Sequence, residues 1–401
     1  MGKPKIRFKG FDNDWEQRKL ENFGKATGGT SIESEFSEEG VYKVISIGSY
    51  SENSLYNDQG IRAIKSDKTS NRVLSRNDLT MILNDKTTSG NIIGRALLIE
   101  ESGIYVYNQR TERIEINVDE YDPVFLYEML NAPNIREKII KQAQGNTQIY
   151  VNWSTISLLD YMIPSKEEQV KIGEYLHNLS NLITLHQRKC EDTKKLKKYM
   201  LQKMFPQNGS KVPEIRFKGF TDDWEQRKLG EIATFINGRA YSQEELLSSG
   251  KYKVLRVGNF YTNDSWYFSD LELEDKYYAE EGDLLYTWSA TFGPHIWHGD
   301  KVIYHYHIWK VGLTENLEKC FAVQLLERDK TAILSDKNGS TMVHITKAGM
   351  EEKSVIIPGN TKEQALIGAY FDELDHLITL HQNKCDELKK IKKYMLQNMF
   401  V

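Results

Sequence analysis

The sequence predicts a mixed α/β fold in which two repeated domains are each followed by a long helix. Two repeated blocks, at different offsets along the chain, predict this fold. The block Ile6–Phe11 (IRFKGF) returns 209 residues later as Ile215–Phe220, and the block Leu182–Gln187 (LITLHQ) returns 195 residues later as Leu377–Gln382. The stretches between these blocks share little sequence. A two-copy repeat on this scale indicates a duplicated domain, because solenoid arrays repeat every 20–50 residues.

Each repeat opens with a tryptophan-containing segment. Asp14–Leu20 (DWEQRKL) is identical to Asp223–Leu229. Because this segment is retained while the following region diverges, we interpret it as part of a structural frame. Trp15 and Trp224 are then expected to anchor each domain against a helix end.

The divergent regions are predicted to be rich in strands and to share one fold. Val41–Gly48 resembles Lys251–Gly258 in residue type and position, and Asn77–Met81 resembles Gly282–Tyr286. These apolar runs alternate with turn-forming Asn, Gly, Ser and Asp, as expected for short strands. Residues 206–214 are polar and are predicted to form a linker.

Two long helices are predicted at 166–205 and 361–401. Each begins near a Ser or Thr that is followed by acidic residues, which is typical of a capped helix N-terminus. Apolar residues at alternating spacings of four and three then form a coiled-coil-like seam. The seam histidines, His186 and His381, are interpreted as packing positions. The seam cysteines that follow each of them are interpreted as small buried hydrophobes.

A second apolar strip lies beside this seam and is repeated in both helices. One partner helix would not cover both strips, so a second protein is expected to pack there. The members of this helix strip are Leu182, Leu185, Leu196, Tyr199, Leu377, Leu380, Ile391 and Tyr394.

Composition excludes several classes of protein. The chain is 39% hydrophobic with a net charge of −4, so charge alone does not indicate a nucleic-acid partner. No apolar run approaches 18 residues, and the expectation is no membrane partner and a cytoplasmic location. Three scattered cysteines predict neither a metal site nor a disulfide framework. The sequence contains no Pro-Pro pair, no Gly-x-Gly-x-x-Gly and no Walker loop, so we expect no catalytic residue.

These motifs, in the same order in both repeats, resemble the specificity subunit of type I restriction–modification systems along the whole chain. The resemblance rests on the duplicated tryptophan segment, the Leu-Ile-Thr-Leu-His-Gln seam and the Ile-Pro…Glu-Gln helix starts. It also includes the Gly28–Thr30 and Asn237–Gly238 turns and the Asp78–Leu79 and Asp283–Leu284 strands.

The resemblance implies a host-defence protein with four parts. Target-recognition domain 1 would occupy residues 1–165, a conserved spacer helix 166–205, a linker with target-recognition domain 2 206–360, and a second spacer helix 361–401. Each domain would recognise one half of a split double-stranded DNA site. The helices would pack antiparallel as a coiled coil and dock two modification subunits.

The resemblance also places the chemistry outside this chain. The modification (methyltransferase) subunits would bind S-adenosylmethionine, and restriction subunits would use ATP with Mg. The chain itself would hold no cofactor and no metal. Two alternatives remain at this point: a complete single-chain enzyme, and a protein scaffold whose duplicated domains bind peptide or sugar.

Loops that place cations or aromatic groups among small hydrogen-bonding residues are the candidates for DNA contact, with solvated loops as the alternative. In the first domain the candidates are Lys65, Lys68, Thr69, Ser70, Asn71, Arg72, Lys86, Thr87, Thr88, Asn108 and Arg110. In the second domain they are Arg239, Tyr241, Trp288, Ser289, Thr291, His305 and His307.

Overall fold

The computed structural model of the protein divides into two compact units. Domain 1 comprises residues 1–187 and 382–401, and domain 2 comprises residues 188–381. Each domain therefore contains one divergent region and one half of each long helix. The structure describes residues 3–86, 89–207, 209–261, 263–289, 291–335 and 346–401.

The divergent region of domain 1 consists of short strands and short helices. In chain order they are β1 (Glu16–Lys19), β2 (Gly24–Gly28), β3 (Tyr42–Ile45), β4 (Arg62–Ala63), α1 (Asp67–Ser70), β5 (Leu79–Ile82), β6 (Asn84–Asp85), β7 (Ala96–Leu98), β8 (Tyr105–Tyr107), β9 (Thr111–Ile116), α2 (Pro123–Asn131), α3 (Pro133–Ile140), β10 (Ile149–Tyr150), α4 (Trp153–Ile156) and β11 (Asp160–Ile163).

The first long helix, α5 (Lys166–Lys203), follows, and the second repeat then gives a similar series. Its elements are β12 (Glu225–Lys228), α6 (Leu229–Ile232), β13 (Ala233–Asn237), β14 (Tyr252–Leu255), β15 (Tyr267–Ser269), β16 (Tyr278–Ala279), β17 (Leu284–Thr287), β18 (Gly293–Ile296), β19 (Val302–Tyr304), β20 (Ile308–Leu313), α7 (Lys319–Ser335), α8 (Lys347–Glu351), β21 (Ser354–Ile357) and the second long helix α9 (Thr361–Asn398).

The two divergent regions have the same main sheet and a similar second sheet, to which domain 2 adds the strand β16; domain 1 has an additional β6–β10 pair. Domain 1 has an antiparallel sheet in the order β2-β9-β5-β7, and domain 2 has the equivalent β13-β20-β17-β18. A second sheet contains β4-β3-β8 in domain 1 and β15-β14-β19-β16 in domain 2. Its central pair, β3–β8 or β14–β19, is parallel in both. The predicted mixed fold with two pseudo-repeated domains is confirmed.

The retained tryptophan segments form a two-stranded ribbon that leads into each long helix. β1 pairs antiparallel with β11, and β12 pairs with β21 in the same register. Trp15 and Trp224 are 5% and 1% exposed, and each packs within the core of its own domain. Their interpretation as structural anchors is confirmed.

A buried ion pair fixes the start of each long helix. The Arg7 guanidinium donates to both oxygens of Glu168 at 2.7 and 2.8 Å, and Arg216 donates to both oxygens of Glu363 at 2.7 and 2.9 Å. Both carboxylates are at most 1% exposed. In domain 2 the indole nitrogen of Trp224 adds a third hydrogen bond to Glu363 at 3.3 Å. Bidentate pairs of this kind fix the orientation as well as the distance of their partners.

The two long helices run antiparallel within each domain. In domain 1, Lys392 of α9 donates to Ser180 of α5, and the core includes α9 residues together with Met399 and Phe400. In domain 2, Lys197 of α5 donates to Asp375 of α9. The seam cysteines Cys190 and Cys385 are 3% and 1% exposed, so they are buried as predicted.

Candidate nucleic-acid interface

Three loops meet at one end of the strands of the main sheet in each domain. In domain 1 the last residue of β2, Gly28, lies opposite Glu112 near the start of β9. The last residue of β5 lies opposite the first residue of β9. Domain 2 repeats this arrangement, with Asn237 opposite Trp309 and Thr287 opposite Ile308. We call this side of the sheet the loop edge. It gathers the loops that follow β2 and β5 and the loop that precedes β9, and their equivalents in domain 2.

Arg72 connects the predicted loop around α1 to the loop edge of domain 1. Its guanidinium donates to the Gly28 carbonyl oxygen at 2.7 Å, to the Thr30 hydroxyl at 2.9 Å and to the Tyr107 hydroxyl at 3.0 Å. The guanidinium also lies over the Tyr107 ring. Three stretches that are distant in sequence are therefore brought together, and Arg72 acts first as their structural link.

Two of the residues predicted to contact DNA in domain 1, Thr69 and Asn108, are buried. Thr69 is fully buried, and its hydroxyl donates to the Ile64 carbonyl oxygen at 2.8 Å. Asn108 is 6% exposed, and its side-chain oxygen accepts from the Ile32 backbone nitrogen at 3.1 Å. Short polar side chains in loops often satisfy neighbouring backbone groups. In this conformation both side chains bind backbone groups of neighbouring loops, and their contact with DNA stays a prediction.

The other candidates described in domain 1 stay predictions. Lys65, Lys68, Ser70, Asn71, Lys86 and Arg110 are exposed. Lys68 donates to the Ser34 hydroxyl at 3.0 Å and lies 3.7 Å from Glu35, so part of its charge is balanced within the chain. Arg110 has a φ of +68° in the tight turn before β9. Thr87 and Thr88 lie outside the described residues.

The loop edge of domain 2 is mainly aromatic. Trp288 donates its indole N–H to the Tyr306 carbonyl oxygen at 2.9 Å, and its ring lies 5.1 Å from the His307 ring. Arg239 lies over the Tyr241 ring, with 5.1 Å between the guanidinium carbon and the ring centre. Candidates from three separate loops of the sequence therefore form one surface.

The charged and titratable groups on this surface contribute little net charge. Arg239 makes two hydrogen bonds to Glu245, at 2.6 and 3.0 Å, so its charge is largely balanced. Burial, together with the nearby His307 and Arg256, lowers the pKa of His305 to about 4. His305 is therefore neutral at physiological pH. Tyr241 stacks beside it, which leaves an aromatic and imidazole surface with little net charge.

The turn after β17 carries the two remaining candidates of domain 2. Ser289 is half-buried and Thr291 is exposed, and the Thr291 backbone nitrogen donates to the Ser289 carbonyl oxygen at 2.8 Å. This bond closes the turn beside Trp288. Both hydroxyls therefore lie on the loop edge, and their contact with DNA stays a prediction.

Sequence reasoning missed two charged residues: Glu112 at the loop edge of domain 1, and Arg256, whose charge acts on His305 in domain 2. Arg256 follows β14 and lies 4.2 Å from the Tyr267 ring centre. Aligning Lys251–Gly258 with Val41–Gly48 would have indicated it, because Arg256 stands where the first repeat has Ser46. Glu112 was missed because a carboxylate within an alternating strand is usually assigned to the solvent face.

The helix strip predicted from the sequence is largely exposed. Leu377 and Ile391 are half-buried, and Ile391 packs against the domain 1 core. The other six side chains are 43–57% exposed: Leu182, Leu185, Leu196, Tyr199, Leu380 and Tyr394. Within the described ranges, no helix is long and apolar enough to cross a membrane. The same ranges contain no group of three His, Cys, Asp or Glu side chains placed to hold a metal ion.

Comparison with known proteins agrees with this geometry. Residues 12–194 and 221–390 each match the family described as the type I restriction modification DNA specificity domain. The chain belongs to this family. The specificity subunit is 24% identical over 302 residues to a Methanocaldococcus jannaschii protein named as the MjaX specificity subunit, with 70% of this chain and 67% of that protein covered. It is 22% identical over 301 residues to the type I restriction enzyme MjaVIII specificity subunit of the same organism, covering 69% and 68%.

Solved structures show the same fold. The S subunit of a type I restriction-modification system from M. genitalium superposes with a TM-score of 0.69 at 16% identity, covering 99% of both chains. A second chain, solved in work on complex assembly and conformational transition of the type I R-M system, gives a TM-score of 0.53 at 15% identity, covering 97% of this chain and 98% of that one. The chain is therefore a type I specificity subunit with two target-recognition domains, and the alternative of a scaffold unrelated to DNA is excluded.

Proposed function

We propose that the loop edge of each domain reads one half of a bipartite double-stranded DNA target. This proposal rests on the contrast between the structural elements that the two domains share and the loop edges, which differ. The ribbons, the helix starts and the strand order of the main sheet are the same in both domains, whereas the residues at the two loop edges differ in chemistry. A common frame with different edges is what two readers of different half-sites require.

The two edges favour different kinds of contact. In domain 1 the exposed Lys65, Lys68 and Arg110 provide cations for phosphate positioning. In domain 2 the surface around Trp288 and His305 provides aromatic faces and the neutral imidazole of His305, which suit apolar contact with a thymine methyl group and neutral hydrogen bonding. Domain 1 is therefore expected to contribute more of the salt dependence of binding.

The helix strip is the proposed docking surface for two modification subunits. Exposed apolar side chains that lie in a row on a helix mark a protein-interaction site more often than isolated ones do. The strip is repeated by the 195-residue offset, so it offers two similar surfaces, one for each copy of the partner. The modification subunits would hold S-adenosylmethionine and the catalytic groups, and restriction subunits would use ATP with Mg. The specificity subunit would hold no cofactor and would supply no catalytic group.

Domain exchange tests the division of the target. Residues 21–160 are replaced by the equivalent segment of another family member, and the variant is expressed with its modification subunit. Methylated sites are then mapped across a host genome. We expect one half-site to change and the other to persist. A change in both half-sites, or in neither, would contradict the assignment of one half-site to each domain.

Charge removal tests the domain 1 edge without disturbing the Arg72 link. The K65A/K68A double variant should weaken DNA binding by the complex and reduce the slope of log affinity against log salt by about 1–2, as for one or two lost phosphate contacts. The matched control is K9A/K171A, which removes two exposed lysines near the start of α5. An unchanged salt slope in K65A/K68A would show that this loop does not face DNA.

Substitution within the helix strip tests docking. Leu185 and Leu380 are repeat equivalents, 44% and 50% exposed, and L185D and L380D should each weaken binding of one modification subunit. Native mass spectrometry of the complex measures the stoichiometry. L158D is the control, because Leu158 is 51% exposed but lies outside the long helices. Full assembly by L185D/L380D would show that partners dock elsewhere.

A further inference from the structure

Glu112 occupies an unusual position at the loop edge of domain 1. It is the second residue of β9, lies opposite Gly28 and Met81 on the neighbouring strands, and is 6% exposed. Along β9 it continues the row formed by Ile114 and Ile116, which are core residues. The carboxylate therefore sits where the core row reaches the edge of the sheet.

In the described part of the chain, no hydrogen-bond donor satisfies the Glu112 carboxylate. Burial raises its pKa to about 7, although the nearby positive charge of Arg72 acts in the opposite direction. Arg72 directs its own hydrogen bonds to Gly28, Thr30 and Tyr107 instead. A largely buried carboxylate that lacks a donor within the protein is costly, and a donor from a bound molecule would lower that cost.

In the second repeat the side chain at the equivalent position has a hydrogen-bond partner. Trp309 stands at the equivalent place on β20, and its indole nitrogen donates to the side-chain oxygen of Asn237 at 2.7 Å. In domain 1 the residue opposite is Gly28, which has no side chain to offer. A Cβ built at the exposed Gly28 would lie 3.2 Å from Oε2 of Glu112, so the glycine leaves this side of the carboxylate uncovered.

We propose that Glu112 is a specificity-determining residue, whose carboxylate accepts a hydrogen bond from the exocyclic amine of a cytosine or adenine in the half-site read by domain 1. Both amines lie in the major groove, and carboxylates are established acceptors for the cytosine amine. The proposal rests on the proposed function. It assigns the missing donor to DNA, and it explains why the position opposite is a glycine in the domain that carries the carboxylate.

The test uses the complete modification complex and maps its methylated sites genome-wide. E112L replaces the hydrogen-bond acceptor with an apolar side chain of similar size. G28N leaves Glu112 in place but supplies an amide opposite it, as Asn237 does in domain 2. Both variants should lose about 10- to 100-fold of the discrimination at one and the same position of the domain 1 half-site. The domain 2 half-site should be unchanged.

E112Q distinguishes the two bases. Glutamine binds adenine through two hydrogen bonds, so a cytosine position should shift its preference toward adenine, whereas an adenine position should keep its preference. Unchanged discrimination in both E112L and G28N would overturn the proposal, and so would equal relaxation at many positions. If the wild-type complex methylates no bipartite site, the proposed function itself fails, which is a separate result.

Discussion

The lysines that link the two long helices have their carboxylate partner on different elements in the two domains. Lys392 and Lys197 are repeat equivalents. Lys392 donates to Glu128 at 2.8 Å and to Ser180 at 2.6 Å, whereas Lys197 donates to both oxygens of Asp375 at 2.7 Å. Ser180 and Asp375 are also repeat equivalents. The carboxylate therefore lies on α2 in domain 1 and on the long helix α9 in domain 2.

Removing the carboxylate of domain 1 should be costly. Glu128 is 2% exposed and Lys392 is 20% exposed, so E128Q leaves a largely buried ammonium without its counter-charge. Breaking such a pair costs about 3–5 kcal/mol, and the residual solvent at Lys392 places E128Q near about 3 kcal/mol. In domain 2 D375N also leaves a largely buried ammonium, because Lys197 is 16% exposed, but Asp375 is 42% exposed and this pair is already partly hydrated. D375N should therefore cost less than E128Q, about 1 kcal/mol.

The second repeat also supplies the rescue. S180D places a carboxylate where domain 2 has Asp375, and E128Q then reproduces Gln324, which donates to Asp375 at 3.3 Å. S180D alone should destabilise domain 1, because the Ser180 hydroxyl lies 3.3 Å from Glu128 and two carboxylates would meet. E128Q/S180D should recover more than half of the stability lost in E128Q.

Thermal unfolding of the purified chain measures these effects. At 2–4 °C per kcal/mol for a domain of this size, E128Q should lower the domain 1 transition by about 6–12 °C. D375N should lower the domain 2 transition by about 4 °C or less. The reasoning is refuted if E128Q costs no more than D375N, or if S180D fails to improve the E128Q background.

Three further predictions concern stability. R7K and R216K should each cost about 2 kcal/mol, because lysine cannot reproduce the bidentate pair, and equal losses in urea unfolding would confirm that the two helix starts are equivalent. Because folding raises the pKa of Glu112 from 4.5 to about 7, the folded state binds the extra proton and stability falls as pH rises between these values. E112Q should remove this fall, and a pH series of melting temperatures that matches wild type would contradict it. G173A and G368A should each destabilise the protein by about 1–3 kcal/mol, although alanine favours helices. A Cβ at Gly173 would lie 2.7 Å from an Asp122 side-chain oxygen, and a Cβ at Gly368 would lie 2.7 Å from the Phe321 backbone nitrogen. Unaltered melting temperatures would show that these contacts relax.

Much of the architecture could be predicted because it depends on periodic signals. The long helices and the helix strip follow from a side-chain spacing that is fixed by helix geometry, so Leu185 and Leu380 were assigned to an outer face correctly. The duplicated Trp15 and Trp224 segments were recognised as structural because repetition separates frame from variable surface.

The loop edge could be predicted less completely, because loops have no period. Thr69 and Asn108 have the composition expected of DNA-contacting residues, yet both are committed to backbone groups that only the folded loops bring near. Glu112 shows the opposite case, a residue that the sequence did not indicate as a candidate. Its partner position, Gly28, is 84 residues away in sequence, and only strand pairing reveals that the carboxylate is buried and unpartnered.

The composition of domain 1 has a consequence for biosynthesis. Its core is closed by Met399 and Phe400, and the Asn134 side chain donates to the Phe400 carbonyl oxygen at 3.1 Å. These residues leave the ribosome after the whole of domain 2. The domain that is translated first is therefore completed last, and until then its apolar surface has to be shielded from aggregation. A frameshift late in the gene would damage the reader encoded at its beginning.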